Sequence, residues 1–512
     1  MTQVVANLPH NWMLAPFGEV VDILDSQRRP INSEEREKRP GNVPYFGATG
    51  QVGWIDNYLF DEELVLLGED GAPFLDPAKP KAYLIKGKSW VNNHAHVLKG
   101  KCGISNRFLM NQLNQVDYRR FVSGTTRLKL PQAPMKQIPL VVAPEPEQLR
   151  IVAEIEKQIT RLEAGVVALK RVQANLKRYR AAVLKAAVEG RLVPTEAELA
   201  RREGRSFEPA SEFLVAQPLL AVPKKAQAGV PVPPKAKHKE PIAPDATNLP
   251  KLPEGWAWAT VAQVAAAVQY GSSAKTQEAH VGVPVLRMGN ITSEGNLVLD
   301  ELKYLPADHF EFPELLLENG DLLFNRTNSP ELVGKSTVYR GHPSPCSFAS
   351  YLIRVRTTAA CDTGFLGYCL NSLIGRTWIK SVVSQQVGQA NVNGSKLQAF
   401  VLPLAPVSEQ LRITAEVDRR LSVIDELEMQ VEANLKRAER LRQAILKRAF
   451  EGKLVPQDPN DEPAGMLLER IRNAGAAGGT ATPGCAPTAS DSVGRGRRKN
   501  QKTQPGVAVS QK

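Results

Sequence analysis

Hydrophobic residues recur at alternating spacings of four and three along two separate stretches of the chain. A repeat of about 3.5 residues sustained over this length favours a coiled coil over an ordinary amphipathic surface helix. The first seam consists of Ile155, Ile159, Leu162, Val166, Leu169, Gln173, Leu176, Arg180, Val183 and Ala187. The second consists of Val417, Leu421, Ile424, Glu428, Val431, Leu435, Ala438, Arg442, Ile445 and Ala449.

Helix-boundary residues flank both stretches. Pro144 and Pro146 precede the first and Pro406 precedes the second, while Gly190 and Gly452 stand where a helix ends in a left-handed residue. At 1.5 Å per residue, about 45 residues span roughly 65 Å. The pattern therefore predicts two long helices of equal length.

The two helices are copies of one element. Residues 179–194 (YRAAVLKAAVEGRLVP) match 441–456 (LRQAILKRAFEGKLVP), and 147–155 (EQLRIVAEI) match 409–417 (EQLRITAEV), in both cases 262 positions later. Two copies in one chain favour antiparallel pairing, which lets each helix end near the other globular segment. The polar seam residues are candidates to fix the register. The alternative is a long helix that packs only on its own domain.

Each helix follows a globular segment, and the two segments begin alike. Leu8-Pro9-x-x-Trp12 matches Leu252-Pro253-x-x-Trp256, 244 positions later. Short alternating runs and glycine turns predict strands in both segments, and four are expected in the second: VPVLRMGNI, NLVLDEL, GDLLFNR and ASYLIRVRT. A helix is expected over 365–383. We predict a mixed α+β (α/β) fold with a pseudo-twofold internal repeat, in which two globular domains are separated by two long helices that form an antiparallel coiled coil.

Charge and composition divide the rest of the chain. The formal net charge is +12, and most of it falls in a Pro- and Lys-rich stretch and in the C-terminal region, so it says little about the folded surface. The five cysteines form no C-x-x-C pair, and no apolar run approaches the roughly 20 residues of a membrane span. We expect a cytoplasmic protein with these segments: domain 1 at 1–144, helix 1 at 145–194, a flexible linker at 195–250, domain 2 at 251–406, helix 2 at 407–457 and a basic disordered tail at 458–512.

This plan resembles the specificity subunit of type I restriction–modification enzymes. The motifs that carry the resemblance are VPYFGATGQVG, KSWVNNHAHVL, GDLLFNRTN, ELVGKS, GQANVN and PLAPVSEQLR, and they cover about residues 8–457. The resemblance implies that each globular segment is a target recognition domain that reads one half of a bipartite sequence in double-stranded DNA. It also implies that the helices set the spacer and dock two modification (methyltransferase) subunits, which restriction (ATP-dependent translocase/nuclease) subunits then join.

The sequence contains only weak matches to the motifs of an enzyme or of a metal site. Asn328-Ser329-Pro330-Glu331 lacks the second proline and the aromatic residue of an (N/D)PP(Y/F) methyltransferase loop, and the triplets at 87–89 and 334–336 lack the first glycine of a phosphate loop. His94 and His96, with Cys102 nearby, can be weighed as zinc ligands, but we do not expect them to bind the metal. We therefore expect no catalytic residue, no cofactor and no metal. A docking protein that does not bind DNA, and a free-standing DNA methyltransferase, are the alternatives.

Base edges are read mainly by Arg, Lys, Asn and Gln, and phosphates by basic and polar groups. Each candidate has an ordinary alternative, as a turn-stabilising amide or a solvated cation. The candidates in domain 1 are Tyr45, Lys86, Lys88, Trp90, Asn92, Asn93, His94, His96 and Arg127. Those in domain 2 are Arg287, Asn290, Asn325, Arg326, Asn328, Lys335, Arg340, Gln385, Gln386, Gln389 and Asn391.

Overall fold

The computed structural model describes residues 8–215, 243–245, 247–278, 280–386 and 389–476. The chain divides into two compact units. Unit 1 comprises Met1–Val166 together with Lys436–Lys512, and unit 2 comprises Val167–Leu435. Each unit therefore contains one globular domain and one part of each repeated stretch.

The domain of unit 1 is built on three antiparallel or mixed sheets. Their strand orders are β1-β10, β2-β9-β6-β7 and β4-β3-β8-β5. The strands are β1 Met13–Pro16, β2 Val21–Ile23, β3 Val43–Gly47, β4 Gly50–Ile55, β5 Phe60–Asp61, β6 Leu64–Gly68, β7 Ala82–Ile85, β8 Lys88–Val91, β9 Ala95–Gly100 and β10 Pro139–Val142. The helices are α1 Phe17–Val20, α2 Ser33–Glu37, α3 Asn106–Leu113 and α4 Gln132–Lys136, with 3-10 turns at Asp25–Gln27 and Tyr118–Arg120.

The first repeated stretch is a single helix, α5 (Glu145–Val188), and two short helices follow it, α6 (Glu196–Glu203) and α7 (Ala210–Val215). The expected linker at 195–250 is therefore wrong at its start. Thr195 and Glu198 form a capping box at α6, and Ala210 joins the main core of unit 2. This stretch is rich in arginine and glutamate and has few apolar positions, so its pattern did not predict that some of its alanines are buried. Residues 216–242 and 246 lie outside the described residues.

The domain of unit 2 has sheets of order β11-β22, β12-β19-β15-β17, β14-β13-β18 and β16-β21-β20. The strands are β11 Ala257–Thr260, β12 Ala265–Tyr270, β13 Val283–Leu286, β14 Lys303–Leu305, β15 Leu322–Asn325, β16 Thr327–Asn328, β17 Ser336–Val338, β18 Ser347–Phe348, β19 Leu352–Thr357, β20 Ser384–Gln386, β21 Gln389–Asn391 and β22 Val401–Leu404. The helices are α8 Val261–Val264, α9 Thr363–Asn371, α10 Leu373–Val382 and α11 Gly394–Gln398, with a 3-10 turn at Met288–Asn290.

Three of the four expected strands of this domain are present, and α9 and α10 occupy the expected helical stretch. The run NLVLDEL is not a strand. Only Leu297 within it makes a bridge, to Ile291, and its other leucines pack against a small core cluster. Apolar alternation alone did not distinguish a packed loop from a strand.

The second repeated stretch is α12 (Val407–Phe450), and α13 (Ala464–Ala476) follows it. The expected disordered tail at 458–512 is wrong over α13. Ala464, Leu467, Leu468 and Ile471 lie in the core of the unit 1 domain, so this short apolar stripe has the role that Ala210 has in unit 2. Residues 477–512 lie outside the described residues.

Both domains have one topology, although their sequences match only at their starts. The sheet β2-β9-β6-β7 and the sheet β12-β19-β15-β17 are antiparallel throughout. In each domain a second sheet contains one parallel pair, β3 with β8 and β13 with β18. Among the described residues, a sheet like β16-β21-β20 occurs in the domain of unit 2 and not in that of unit 1. The internal repeat therefore extends through the domains as well as the helices.

The two long helices pair in antiparallel fashion within each unit, as expected. In unit 1, Ile151 and Ile155 of α5 share a core cluster with Leu446 and Phe450 of α12. In unit 2, Leu176 packs with Ile424 and Val431, and every predicted seam residue is buried or half-buried. No helix in the described parts of the chain combines the length and the apolar character that crossing a membrane requires.

Repeated glutamate and glutamine residues anchor the start of each long helix to its own domain. Glu147 accepts a 2.9 Å hydrogen bond from the Trp12 indole, and Glu409 accepts a 3.0 Å bond from the Trp256 indole. Gln148 and Gln410, which follow them, are each bonded to three backbone groups in the same arrangement. The repeated EQLR motif and the repeated L-P-x-x-W motif are thus two sides of one contact.

The glycine that ends each long helix completes the same arrangement. Gly190 has φ +66° and Gly452 has φ +68°, which confirms the expected left-handed position. A Cβ on Gly190 would lie 2.7 Å from Pro253, and one on Gly452 would lie 2.2 Å from Pro9. Both glycines therefore satisfy two requirements at once, a left-handed backbone and close approach to the proline of L-P-x-x-W.

Candidate nucleic-acid interface

In unit 1, the sheet β4-β3-β8-β5 carries cationic and aromatic side chains. Lys86 and Lys88 are exposed at the start of β8, and the Lys88 ammonium lies 4.8 Å from the centre of the Tyr58 ring. The Arg36 guanidinium lies 4.9 Å from the Tyr45 ring. Stacking against a ring positions a cation while leaving its remaining hydrogens available to an anion.

Two predicted contacts on this sheet are buried supports. Tyr45 is 1% exposed and its hydroxyl donates to the Ile31 carbonyl at 3.0 Å; Trp90 is 4% exposed and its indole donates to the Arg29 carbonyl at 2.8 Å. A base or phosphate contact requires an accessible side chain. We therefore interpret Tyr45 and Trp90 as the residues that hold the Arg29–Ile31 backbone against the sheet.

A second group lies around the end of β8. His94 Nδ1 is 2.7 Å from Asp70 Oδ1, and Arg127 Nη2 is 3.0 Å from the same oxygen. Asn93 is exposed, whereas the Asn92 side chain is buried and accepts the His94 backbone N–H at 2.8 Å. Asn93, His94 and Arg127 are therefore accessible together, and Asn92 is the turn-stabilising amide.

His96 belongs to a buried charge network. Its Nδ1 lies 2.6 Å from Asp25 Oδ2 and its Nε2 lies 2.8 Å from the Leu130 carbonyl, an acceptor. Gln132 and the Val97 N–H also donate to Asp25. Burial opposes ionisation of Asp25, but the hydrogen bond and charge of His96, the Val97 N–H and the charge of Arg28 together lower the pKa of that carboxyl. His96 is 1% exposed, so its side chain is not accessible to a duplex in this structure.

Asp25, Glu69 and His96 have potential ligand atoms within 4.8 Å of one another, but they do not suit a metal ion. Both ring nitrogens of His96 are engaged, and Arg28 lies 3.3 Å from Asp25 and 2.8 Å from Glu69. The Arg28 guanidinium therefore already pairs with both carboxylates. The geometry therefore indicates an ion-pair network that supports the accessible cluster above it.

In unit 2, the β16-β21-β20 sheet brings several predicted residues together. Arg326 lies 4.8 Å from the Tyr270 ring, and the Asn391 side chain donates to Thr327 Oγ1 at 2.9 Å. Asn328 is half-buried and accepts the Ser329 N–H. The backbones of Gln385, Gln386 and Gln389 lie in β20 and β21, but their side chains are outside the described residues.

Three further residues of this domain are structural. Asn290 is 5% exposed and bonds the Arg287 N–H and the Val298 carbonyl. Asn325 is fully buried and donates to the Met288 carbonyl. Lys335 is also buried, and burial together with the charge of Arg376 lowers the pKa of its ammonium. None of the three is accessible to a duplex.

Arg287 and Arg340 remain as cations of this domain that reach the surface. Arg287 is half-buried, and Arg340 is exposed with Nη2 3.5 Å from Asp418 Oδ2 on α12. The structure does not bring Arg340 into the β16-β21-β20 group. The two Gly-Lys-Ser triplets lead into strands β8 and β17, so neither has the helix that a phosphate loop requires.

Residues missed from the sequence lie beside the predicted ones. Val52 and Trp54 alternate along β4 and are 50% and 55% exposed, so both side chains lie on one accessible face of the hairpin. Three further residues contact side chains of the same sheet: Arg36 stacks on Tyr45, Arg39 on Trp90, and Tyr58 under Lys88. An apolar residue at every second position of a short strand was the available signal, but it resembles the pattern of a core-facing strand.

The fold and these faces define an internally duplicated, two-domain binding protein. Residues 9–168 match the family model described as the type I restriction modification DNA specificity domain. A putative type I restriction enzyme specificity subunit of Haemophilus influenzae is 37% identical over 140 residues, 27% of this chain and 34% of that protein. The type I restriction enzyme EcoKI specificity subunit of Escherichia coli K12 is 24% identical over 505 residues, 92% of this chain and 97% of that protein.

Over residues 9–168 the chain matches the type I restriction modification DNA specificity domain, and along most of its length it is similar to proteins named type I restriction enzyme specificity subunits. A chain from a solved type I R-M system, described as "Structural basis underlying complex assembly and conformational transition", covers 87% of this chain and 99% of its own length. Its TM-score is 0.57 at 16% identity, so that likeness bears on the fold alone.

Proposed function

We propose that this chain is the DNA sequence-recognition subunit of a type I restriction–modification assembly, in which each domain reads one half of a bipartite target. The observation that carries the proposal is that the two domains share one topology but expose different polar and cationic side chains. One face has Lys86, Lys88, Asn93, His94 and Arg127, and the other has Arg326, Asn328 and Asn391. A shared scaffold with unlike readers suits a target of two unlike half-sites.

The long helices would set the length of the unread spacer. Readers on one face of B-DNA favour half-sites about one helical turn apart, roughly 34–36 Å, or a multiple of it. Each helix has 44 residues, and its ends are anchored by the Glu-Gln and glycine contacts described above. Lengthening both helices by one heptad should therefore change the tolerated gap.

The helices also offer a repeated surface to two identical modification subunits. Leu149 and Leu411 occupy equivalent positions of the repeat and are 59% and 56% exposed. Val167 with Met429, and Tyr179 with Leu441, are further exposed pairs at the same 262-residue offset. Exposed apolar residues in a repeated arrangement are typical of a protein interface. Restriction subunits would join that assembly, and methyl donor and ATP would be bound by the partners.

The test is sequence-selective binding of a duplex by this chain with its modification subunits. Adenine methylation mapped in cells with and without the chain would give both half-sites and their gap. Substitutions in one domain should relax one half-site only. A docking protein would shift no duplex, and binding of S-adenosylmethionine by the isolated chain would instead favour a free-standing methyltransferase.

A further inference from the structure

The described part of each unit contains a cavity between its domain and its pair of long helices, and these two cavities are lined alike. We name the cavity of unit 1 groove 1, about 480 Å³, and that of unit 2 groove 2, about 500 Å³. Groove 1 is lined by residues of β7, α3, α5 and α12, and groove 2 by residues of β17, α9, α5 and α12. These are equivalent elements in the duplicated fold.

Most helix residues of the grooves are related by the repeat itself. Ten of them form five pairs, each 262 positions apart: Arg180 with Arg442, Leu184 with Leu446, Glu156 with Asp418, Ile159 with Leu421, and Thr160 with Ser422. Each groove thus receives an arginine and a leucine from one helix. The other helix supplies an acidic residue, an apolar residue and a hydroxyl.

The domain wall of each groove is also equivalent, although its sequence is not. Asn371 at the end of α9 donates to the Ser336 carbonyl at 2.8 Å and accepts the Ser336 N–H at 3.1 Å, on the edge strand β17. Asn114, just after α3, does the same for Ala82 on the edge strand β7, at 2.9 and 3.0 Å. In both grooves, therefore, an asparagine side chain pairs with the backbone N–H and carbonyl of one residue on the edge strand.

Arg180 lines groove 2 and has N–H groups that donate to no acceptor among the described residues. Arg180 is 8% exposed and donates through Nη2 to Asp425 and, at 3.1 Å, to Glu428. Among the described residues its buried Nε and Nη1 have no hydrogen-bond partner. In groove 1, Arg442 approaches Glu163, the equivalent of Asp425, only to 3.6 Å. Buried donors without acceptors are costly, so an occupant that supplies an oxygen acceptor is favoured at Arg180. Arg442 is half-buried and can offer its donors to the same kind of acceptor at the equivalent position of groove 1.

We propose that grooves 1 and 2 each receive the same short segment of one modification subunit, a segment that combines an apolar side chain with a carbonyl oxygen. The apolar part would pack on Leu184 and Leu421, or on Leu446 and Ile159, and the carbonyl oxygen would accept a hydrogen bond from the arginine. Two grooves built from duplicated residues select two copies of one ligand. This inference rests on the proposed function, because it takes the partner from it.

The experiment counts bound modification subunits by native mass spectrometry, in the absence of DNA. The exposed groove residues Ser422 and Thr160 are replaced by tryptophan, which fills a groove without removing an ion pair. Matched controls are Arg178→Trp and Arg440→Trp, which are also 262 positions apart and exposed but outside both grooves. Circular dichroism and thermal melting check that each variant is folded.

The wild type and both controls should bind two modification subunits. Ser422→Trp and Thr160→Trp should each bind one, and the double variant none, with the affected copy weakened at least about tenfold. Retention of two subunits by the double variant would overturn the proposal, as would a small molecule retained in the grooves of the purified chain. DNA binding is measured separately, so a complex with two subunits that ignores DNA sequence would sink the proposed function and leave this inference standing.

Discussion

Replacing Glu147 and Glu409 by glutamine should affect stability in opposite ways. Each carboxylate accepts two hydrogen bonds, but one of the donors to Glu147 can become an acceptor and neither donor to Glu409 can. Glu147 accepts the Trp12 indole on one oxygen and the Gln457 side-chain amide, at 2.5 Å, on the other. Glu409 accepts the Trp256 indole on one oxygen and the Glu196 backbone N–H, at 2.8 Å, on the other. Gln457 can rotate its amide to present oxygen, whereas a backbone N–H has no alternative.

Glu147→Gln should therefore keep both hydrogen bonds and remove a buried charge. Burial raises the pKa of Glu147 and of Glu409 above the ordinary value. A carboxyl whose folded pKa is raised contributes stability below its unfolded pKa and loses that contribution as pH rises through the folded pKa. At neutral pH the charged form is thus a cost, and Glu147→Gln should leave stability unchanged or higher and flatten its pH dependence.

Glu409→Gln should destabilise unit 2. In either amide orientation its NH2 group faces a donor, the Trp256 indole or the Glu196 N–H, so one buried bond is lost. The expected cost is about 1–3 kcal/mol. The check is urea unfolding combined with hydrogen exchange of the Glu196 amide, which should accelerate about tenfold for each 1.4 kcal/mol.

Exposed Glu439→Gln is the matched control and should change neither measurement. Equal losses at 147 and 409, or a larger loss at 147, would refute the reasoning about donor geometry. Hydrogen exchange is needed because a two-unit chain need not unfold in one step.

Three further predictions concern the helix ends and the recognition faces. Gly190→Ala and Gly452→Ala should each lower the thermal midpoint, because a left-handed alanine costs about 1–2 kcal/mol before the clash with Pro253 or Pro9 is added; Gly165→Ala, within α5 and open to solvent, should raise it. Trp54→Ala should leave folding intact and weaken DNA binding, whereas Trp90→Ala should destabilise the domain by about 3–5 kcal/mol; equal melting curves would contradict this. Lys88→Ala should weaken binding to all sequences and reduce the salt slope by about one, whereas Arg326→Ala should cost about 1–3 kcal/mol and relax one half-site; equal losses on cognate and unrelated duplexes for both variants would show that the assignment of base and phosphate contacts is wrong.

The helices were predictable because their information is local and periodic. A seam with a 3.5-residue repeat identifies both the element and the buried face, as Ile155 and Val417 illustrate at 1% and 0% exposure. The short helices α6, α7 and α13 were missed because the apolar residues that bury them are few. Ala200 and Ala210, or Leu467 and Leu468, acquire meaning only from the domain they pack on.

Composition could nominate residues for the candidate faces, but it could not predict which of their side chains reach the surface. Tyr45, Lys88, Trp90 and His96 all lie in short strands of polar and aromatic residues, and nothing in their spacing distinguishes exposed Lys88 from buried His96. Burial is decided by long-range partners: Asp25 and Leu130 for His96, Arg29 for Trp90. A sequence window of strand length contains none of these partners.

The anchoring contacts explain why two domains of one topology tolerate such different sequences. Gln148 bonds the Gly103 and Ala143 carbonyls and the Ser105 N–H, and Gln410 bonds the Ala360 and Ala405 carbonyls and the Asp362 N–H. Every one of these partners is a backbone group, so the bond geometry constrains the path of the domain chain and leaves its side chains free. A frame that holds its domains by backbone atoms can retain EQLR while the reading faces diverge. Gln148→Ala and Gln410→Ala should accordingly be equally damaging, about 1–3 kcal/mol each by thermal melting, because each leaves a buried N–H without a partner.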